Sequence, residues 1–414
     1  MTIKLNTFLT RSGVDAIRSG NPWILSGQLK PSYKAILPKQ PAIVPLGEHW
    51  FWYSPHSDIR LRRMGPALRY WPTMDENQQR DIIINLDDFN QYFLKYLEQE
   101  LISIFKTKQR ALGDEKSLRW IFGDNDGFGG LVLDVFDNYI VAQIQSAPIE
   151  VFWPSIKSSI QKSFFDITGR TANVIERRDG AIRKKEGLAV LEFTSKEYQT
   201  NLQWNGLNWS FNPYGNQKTG AYLDQKENHL RAVAWAKRLN CVNVWDICCF
   251  EGGFGIHLAK AGLQVSAVDS SVTALEKVKL NAQLNHCDIN LNTVKSDAFD
   301  FLRDKHKNSQ KVDMIVLDPP ALAPNKQSIG NAMKAYRELN LRAIHCLVSG
   351  GLLVTCSCSH VFTKELFIDM LCQAEHHTRR KLRILEIAGP ASDHMASLQL
   401  SQSDYLQAYF IEVI

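Results

Sequence analysis

From about residue 215 onward, six strand-length apolar stretches recur: VNVWDIC, QVSAVD, INLNTV, DMIVLD, GLLVTCS and LRILEIA. Helical periodicity fills the intervals near 254–261, 272–285, 298–306, 330–348 and 363–377. This alternation is the strongest constraint in the chain. Parallel strands need long crossovers, and crossover helices cover both faces of the sheet they connect. A seventh stretch, YLQAYFIEV, follows the sixth with no helical pattern between them, so these two should pair antiparallel. The expected result is an α/β domain with a seven-strand, mostly parallel sheet ending in a reversed strand.

A chain of 414 residues exceeds one ordinary core. Upstream, PAIVPL, HWFWYS and DIRLRRM are short strand-like pieces broken by proline and glycine, as in a small β-barrel. The segment 87–108 reads as a helix, GGLVLDV and YIVAQIQ as strands around Asp137-Asn138, and Val151–Phe165 as amphipathic. In LQWNGLNWSF, Asn205-Gly206 supplies the positive φ angles of a two-residue hairpin turn. The expected organisation is a β-rich domain over 1–74, a middle α/β domain over 75–186, a hairpin connector over 187–214 and the alternating domain over 215–414.

Composition narrows the function classes. With 44% apolar and 22% charged residues the chain is globular. It has no secretory h-region and no apolar run near the roughly 18 residues of a spanning helix, so a cytoplasmic protein without a membrane partner is expected. All eight cysteines follow residue 240, with no C-x-x-C and no zinc-type spacing, which indicates reduced thiols and no metal. Residues 1–75 hold ten lysines and arginines against four acids, together with Trp23, Trp50, Trp52 and Trp71. Such a module can bind RNA through phosphate attraction and base stacking, or can simply keep its tryptophans in a core. Composition favours the second reading.

The glycine-containing turn VWDICCFEGGFG (244–255) runs from a strand into a helix, and Gly252 and Gly253 allow a ligand close to the backbone. Asp269 ends the next strand, where an acid can accept from both hydroxyls of a ribose. Asp297 follows the third strand and can accept from an adenine amine. Helix capping competes at each position. Asp318 ends the fourth strand in DPPALAPNK, where Pro319-Pro320 stop the strand with a carboxylate over the crevice. Acids at successive strand ends facing one crevice favour a nucleoside cofactor.

With these pieces in place, the chain resembles the bacterial 23S rRNA cytosine-C5 methyltransferases that carry an N-terminal PUA domain. The similarity runs through GNPWILSGQL, WIFGDNDGFGGLVLDVFDNYIVAQ, VIERRDGAIRKKEGL, KTGAYLDQKENH, DPPALAPNK, AYRELNLRAI, SGGLLVTCSCSH and Asp393-His394. The resemblance implies a Rossmann-like class I methyltransferase domain, a PUA-like RNA-binding domain and S-adenosylmethionine as cofactor. It places Asp224, Gln225, Phe250, Gly252, Gly253, Asp269, Asp297 and Asp318 at the cofactor and Cys358 as nucleophile. It also implies RNA as partner and allows a homodimer. Three departures stand out. Phe250-Glu251 replaces Tyr-Thr, so Glu251 would repel the methionine carboxylate unless it turns outward or pairs with a cation such as Lys218. Met395 replaces proline after Asp393-His394, and the PUA-like segment lacks its usual Gly-Asp turn.

Cytosine C5 is a weak nucleophile until a thiolate adds at C6, so direct methylation there calls for an activated cysteine. In an extended GLLVTCSC, Cys356 and Cys358 share one face, Cys356 deeper and Cys358 at the mouth. Side chains so placed lie roughly 6.6 Å apart, too far for the about 3.8 Å of a disulfide. Cys356 is assigned to packing and Cys358 to attack; the reverse holds if the strand ends early. Asp318 can hold the cytosine N3/N4 edge. His360 reads as structural, and the base that takes the C5 proton is not identified. A base must leave its stack to reach this pocket. Arg177, Arg178, Arg183 and Lys184 are candidate phosphate contacts, with a solvated charged turn as the even alternative. Two other readings remain: a methyltransferase for another base or a small molecule, and an RNA-binding assembly factor with a degenerate site.

Overall fold

The computed structural model describes residues 8–35, 37–46, 49–65, 91–192, 200–212 and 219–414. The chain forms two units: Met1–Gln199 with Asn212–Ala221 and Asp393–Leu400, and Thr200–Phe211 with Tyr222–Ser392 and Ser401–Ile414. The boundaries expected at 74/75 and 214/215, together with Trp71 and Lys218, lie outside the described residues. Among the described residues, no helix is long and apolar enough to cross a membrane.

The first unit begins with α1 (Arg11–Arg18), whose N-cap Thr10 accepts from the Gly13 amide. Strands β1 (Trp23–Leu25), β2 (Ala42–Leu46), β3 (His49–Tyr53) and β4 (Ile59–Arg63) form a sheet in the order β1-β4-β3-β2. All its pairs are antiparallel, and among the described residues it is an open sheet where a barrel was expected. Strand β3 explains the difference, because it is buried on both faces. Phe51 and Tyr53 pack with Leu9, Val14 and Ile17, while Trp50 and Trp52 turn into a second core with Phe93, Phe128 and Phe152. That second core covers α2 (Gln91–Leu112) and the sheet of β5 (Ser117–Phe122), β6 (Leu131–Phe136), β7 (Tyr139–Ile144) and β8 (Asn173–Arg177). Helix α3 (Ala147–Thr168) is the crossover that makes β7 and β8 parallel. Trp50 and Trp52 are therefore core residues, and Trp52 Nε1 donates to the Gly127 carbonyl at 2.8 Å. Neither ring is available to stack on a base.

The second unit opens with the hairpin β9 (Thr200–Trp204) and β10 (Leu207–Phe211), turned by Asn205 (φ 50°) and Gly206 (φ 72°). Its main body alternates α4 (Lys226–Arg238), β11 (Asn243–Ile247), α5 (Gly253–Lys260), β12 (Gln264–Asp269), α6 (Val272–Leu284), β13 (Leu291–Lys295), α7 (Ala298–Lys307), β14 (Val312–Leu317), α8 (Ile329–Cys346), β15 (Leu347–Ser357), α9 (Lys364–Thr378), β16 (Leu382–Ala388) and β17 (Gln407–Val413). The sheet order is β13-β12-β11-β14-β15-β17-β16, with β17 antiparallel to both neighbours. This is the seven-strand mixed sheet expected from the alternation. Reversal of order at β11 and β14 opens a crevice at their carboxyl ends, where ligands bind in open α/β sheets.

Trp52→Ala should cost the first unit about 3–5 kcal/mol, the usual penalty for emptying a large aromatic site. A lowered denaturation midpoint checks this; an unchanged midpoint would show that Trp52 does not hold the two sheets to a common core.

Candidate active site

Each wall of the crevice is a strand end or the turn after it. After Asp246 and Ile247, the chain passes through Cys248 (φ 62°) and Phe250 (φ 48°) before Gly252 (φ 90°) caps α5. A Cβ on Gly253 would come within 2.6 Å of His229 Nε2, whose ring is held against Phe254 and His257. The left-handed φ at Gly252 and the closeness of His229 to Gly253 both favour glycine in this turn. Asp246 is buried; its Oδ2 accepts from the Gly255 amide at 2.8 Å, and its Oδ1 has no hydrogen-bond partner among the described residues. Burial first, and then Asp318 and Asp269, push its carboxyl up to about 7 against the pull of the Gly255 amide.

Asp269 is half-buried and accepts from the Phe250 amide at 3.0 Å and the Ser271 amide at 2.9 Å. A carboxylate has about four acceptor positions, so hydroxyls of a ribose can still be met. Asp297 is exposed and caps α7 by accepting from the Phe299 and Asp300 amides. The capping role is the one seen; its charge nevertheless reaches Cys248. Asp224 and Gln225 lie in the turn that leads into α4. Tyr405 donates to Asp224 Oδ2 at 2.6 Å, and Gln225 Oε1 accepts from Asn228 at 2.7 Å. Asp318, half-buried, follows β14, its amide 3.4 Å from the Ile247 carbonyl.

Glu251 pairs with Lys277 of α6 at 2.6 Å, and Asn281 donates to the Glu251 carbonyl at 3.0 Å. Burial raises its carboxyl while Lys277 opposes the shift. The repulsion expected from this residue is met by a counter-charge 26 residues downstream, so the reading of a degenerate site loses its motive.

The thiols differ sharply. Strand β15 stays paired through Ser357, with Thr355 opposite Leu317 and Cys356 opposite Ala408. Cys356 is fully buried; burial, then Asp318, push its thiol well up. Cys358, immediately beyond the strand, is partly exposed. The strand does not end early, which is the condition under which Cys356 would have reached the mouth.

Sequence reasoning passed over Tyr222. Its ring stands edge-on to Phe250 at 5.0 Å, and burial followed by Asp318, Asp224, Cys358 and Glu251 raise its phenol to about 12. Only its place between the quoted Gly220 and Asp224 hinted at a role. The arginines of the basic segment are held by ion pairs within the first unit. Arg177 is buried against Asp179, Arg178 binds Glu150 and Glu176, and buried Arg183 donates to Glu150 and the Ile144 and Ala189 carbonyls. Each of these three side chains thus has a carboxylate partner in the first unit. Lys184 and Lys185 remain exposed.

The crevice suits S-adenosylmethionine on its own chemistry. It offers an unpartnered buried carboxylate oxygen and carboxylates whose mutual repulsion a sulfonium cation would relieve. Because the folded Asp246 retains its proton to higher pH than its ordinary 3.8, stability should fall as pH rises from about 4 to about 7. Asp246→Asn should flatten that slope in the second unit, measured as denaturation midpoints across this range. An unchanged slope would contradict the burial argument.

Residues 230–385 match the family model described as the methyltransferase small domain. A ribosomal RNA large subunit methyltransferase I from Photobacterium profundum is 31% identical over 86% of this chain and 85% of its own. The protein of the same name from Enterobacter sp. (strain 638) is 30% identical over the full length of both. Among solved structures, a methyltransferase complexed with SAH superposes with a TM-score of 0.72 at 17% identity, covering 97% of this chain and 98% of that one. A SAM-dependent methyltransferase from Streptococcus mutans gives 0.71 at 16% identity, covering 98% and 99%. These two share the fold. A crevice built for a nucleoside sulfonium, the matched methyltransferase model and full-length relatives agree, and the chain belongs to the S-adenosylmethionine-dependent ribosomal RNA large subunit methyltransferase I family.

Proposed function

We propose that this methyltransferase forms 5-methylcytosine in large-subunit rRNA, with Cys358 as nucleophile. The observation that carries the reading is the contrast between the two thiols: Cys356 sealed within β15, Cys358 partly exposed just beyond it, beside the strand that ends in Asp318. Asp224, Gln225, Phe250, Gly252, Gly253, Asp269, Asp297 and Asp318 would hold S-adenosylmethionine. When bound, it supplies an electrophilic methyl group.

The Cys358 thiolate adds to cytosine C6, and the C5–C6 double bond gives way to an enamine whose nucleophilic carbon is C5. Asp318 holds the N3/N4 edge and so fixes which face of the ring meets the thiol. Once C5 carries its methyl group, loss of the C5 proton expels Cys358 and restores the aromatic ring. Cys356, kept protonated by burial and neighbouring charge, takes no part. The target base must be unstacked to enter, which favours a loop or an unfolded stretch of rRNA. Lys184 and Lys185 are the members of the basic segment left to meet phosphate. The relatives' shared name supports the rRNA assignment.

RNA carrying 5-fluorocytidine at the target cannot release the fluorine as a cation, so turnover should stall as a covalent protein–RNA adduct. The adduct should form with the wild type and with Cys356→Ala, and be absent with Cys358→Ala while S-adenosylmethionine binding persists. An adduct that survives Cys358→Ala would move the nucleophile elsewhere.

A further inference from the structure

We infer that the Tyr336 hydroxyl is a positioning group for Cys358, acting through the two serines that flank it; this rests on Cys358 being the nucleophile. Tyr336 lies on α8 and is fully buried, its ring against Phe362 at 4.9 Å and Phe367 at 5.9 Å. Its phenolic oxygen is 3.0 Å from Ser357 Oγ and 3.4 Å from Ser359 Oγ. The Ser359 amide donates to Ser357 Oγ at 3.3 Å, and Ser359 Oγ accepts from the Ala323 amide at 3.1 Å.

Both flanking serine hydroxyls are gathered on one buried hydroxyl, which fixes the backbone on either side of Cys358 just where the β-ladder has ended at Ser357. Ser359 also joins that backbone to the loop that begins at Asp318, so one phenol ties the strand bearing the thiol to the loop bearing the carboxylate. Both groups must face the same cytosine, and small errors in their spacing are expensive in rate. Apolar packing alone would hold a phenylalanine here equally well; the hydroxyl adds direction. The phenol is pushed up first by burial, so it stays protonated and can donate to one serine while accepting from the other.

Tyr336→Phe keeps the ring and leaves the serines their amide donors, so the fold should persist. The test uses the full-length protein, labelled S-adenosylmethionine, and large-subunit rRNA from cells lacking this protein. Turnover at saturating substrates should fall about 10-fold or more, with KM for rRNA and S-adenosylmethionine affinity close to wild type. Peptide mapping of iodoacetamide labelling should show an altered pH dependence at Cys358 and none at Cys372, an exposed thiol on α9. Wild-type turnover and labelling in Tyr336→Phe, with Cys358→Ala inactive, would overturn this inference and leave the proposed mechanism standing. Equal losses of turnover, cofactor affinity and melting temperature would mark a purely structural role and overturn it too. Activity retained by Cys358→Ala would instead remove the mechanism on which the inference rests.

Discussion

Negative charge confined in a dry crevice governs the second unit. Asp246, Asp269 and Asp318 stand within one residue of the ends of adjacent strands, and burial together with their charge raises Asp246 itself, Cys248, Cys356 and Tyr222. Cys248 reaches about 12 and Cys356 is pushed well up, so neither thiol ionises at neutral pH. In a low-dielectric site such repulsion is expensive, and the ligand that relieves it is a cation. A sulfonium nucleoside meets that demand. A neutral nucleoside would leave the repulsion in place. The same field opposes a thiolate at Cys356, which would be buried among carboxylates, and so supports the proposal of Cys358 as nucleophile.

Strand β15 converts this electrostatic layout into an alignment. It is the longest strand of the sheet at eleven residues, paired to β14 on one side and β17 on the other. Its register sets Thr355 opposite Leu317, so the residue that follows each strand segment is drawn to the same opening. Beyond Ser357 the ladder no longer directs the chain, and side-chain hydroxyls take over that task. Precision at the site therefore passes from backbone pairing to a small buried polar cluster, which is worth most when every member is satisfied.

Much of this was readable from local pattern. The strand–helix rhythm gave the sheet its expected order of elements, Asn205-Gly206 marked a hairpin, and distance from the strand's end separated Cys356 from Cys358. The sequence is least informative where a residue's partner is remote in the chain. Arg178 and Arg183 look like an exposed basic cluster until Glu150, some thirty positions earlier, is brought beside them. Glu251 looks incompatible with an anionic ligand until α6 presents Lys277. Composition already favoured core positions for Trp50 and Trp52, and the two cores on either side of β3 show why HWFWY has no polar face. Tyr405 carried no local signal, and Tyr336, although inside AYRELNLRAI, gave no hint of the serine hydroxyls that its own hydroxyl meets across the fold.

The central claim is that this crevice transfers a methyl group to cytosine C5 of large-subunit rRNA. The most direct measurement is to incubate the protein with labelled S-adenosylmethionine and rRNA from cells that lack it, then resolve the nucleosides. Label recovered in 5-methylcytidine, and confined to one mapped position of the large-subunit rRNA, is the result this account predicts. Label in a different nucleoside, or in none with the cofactor in excess, would contradict it.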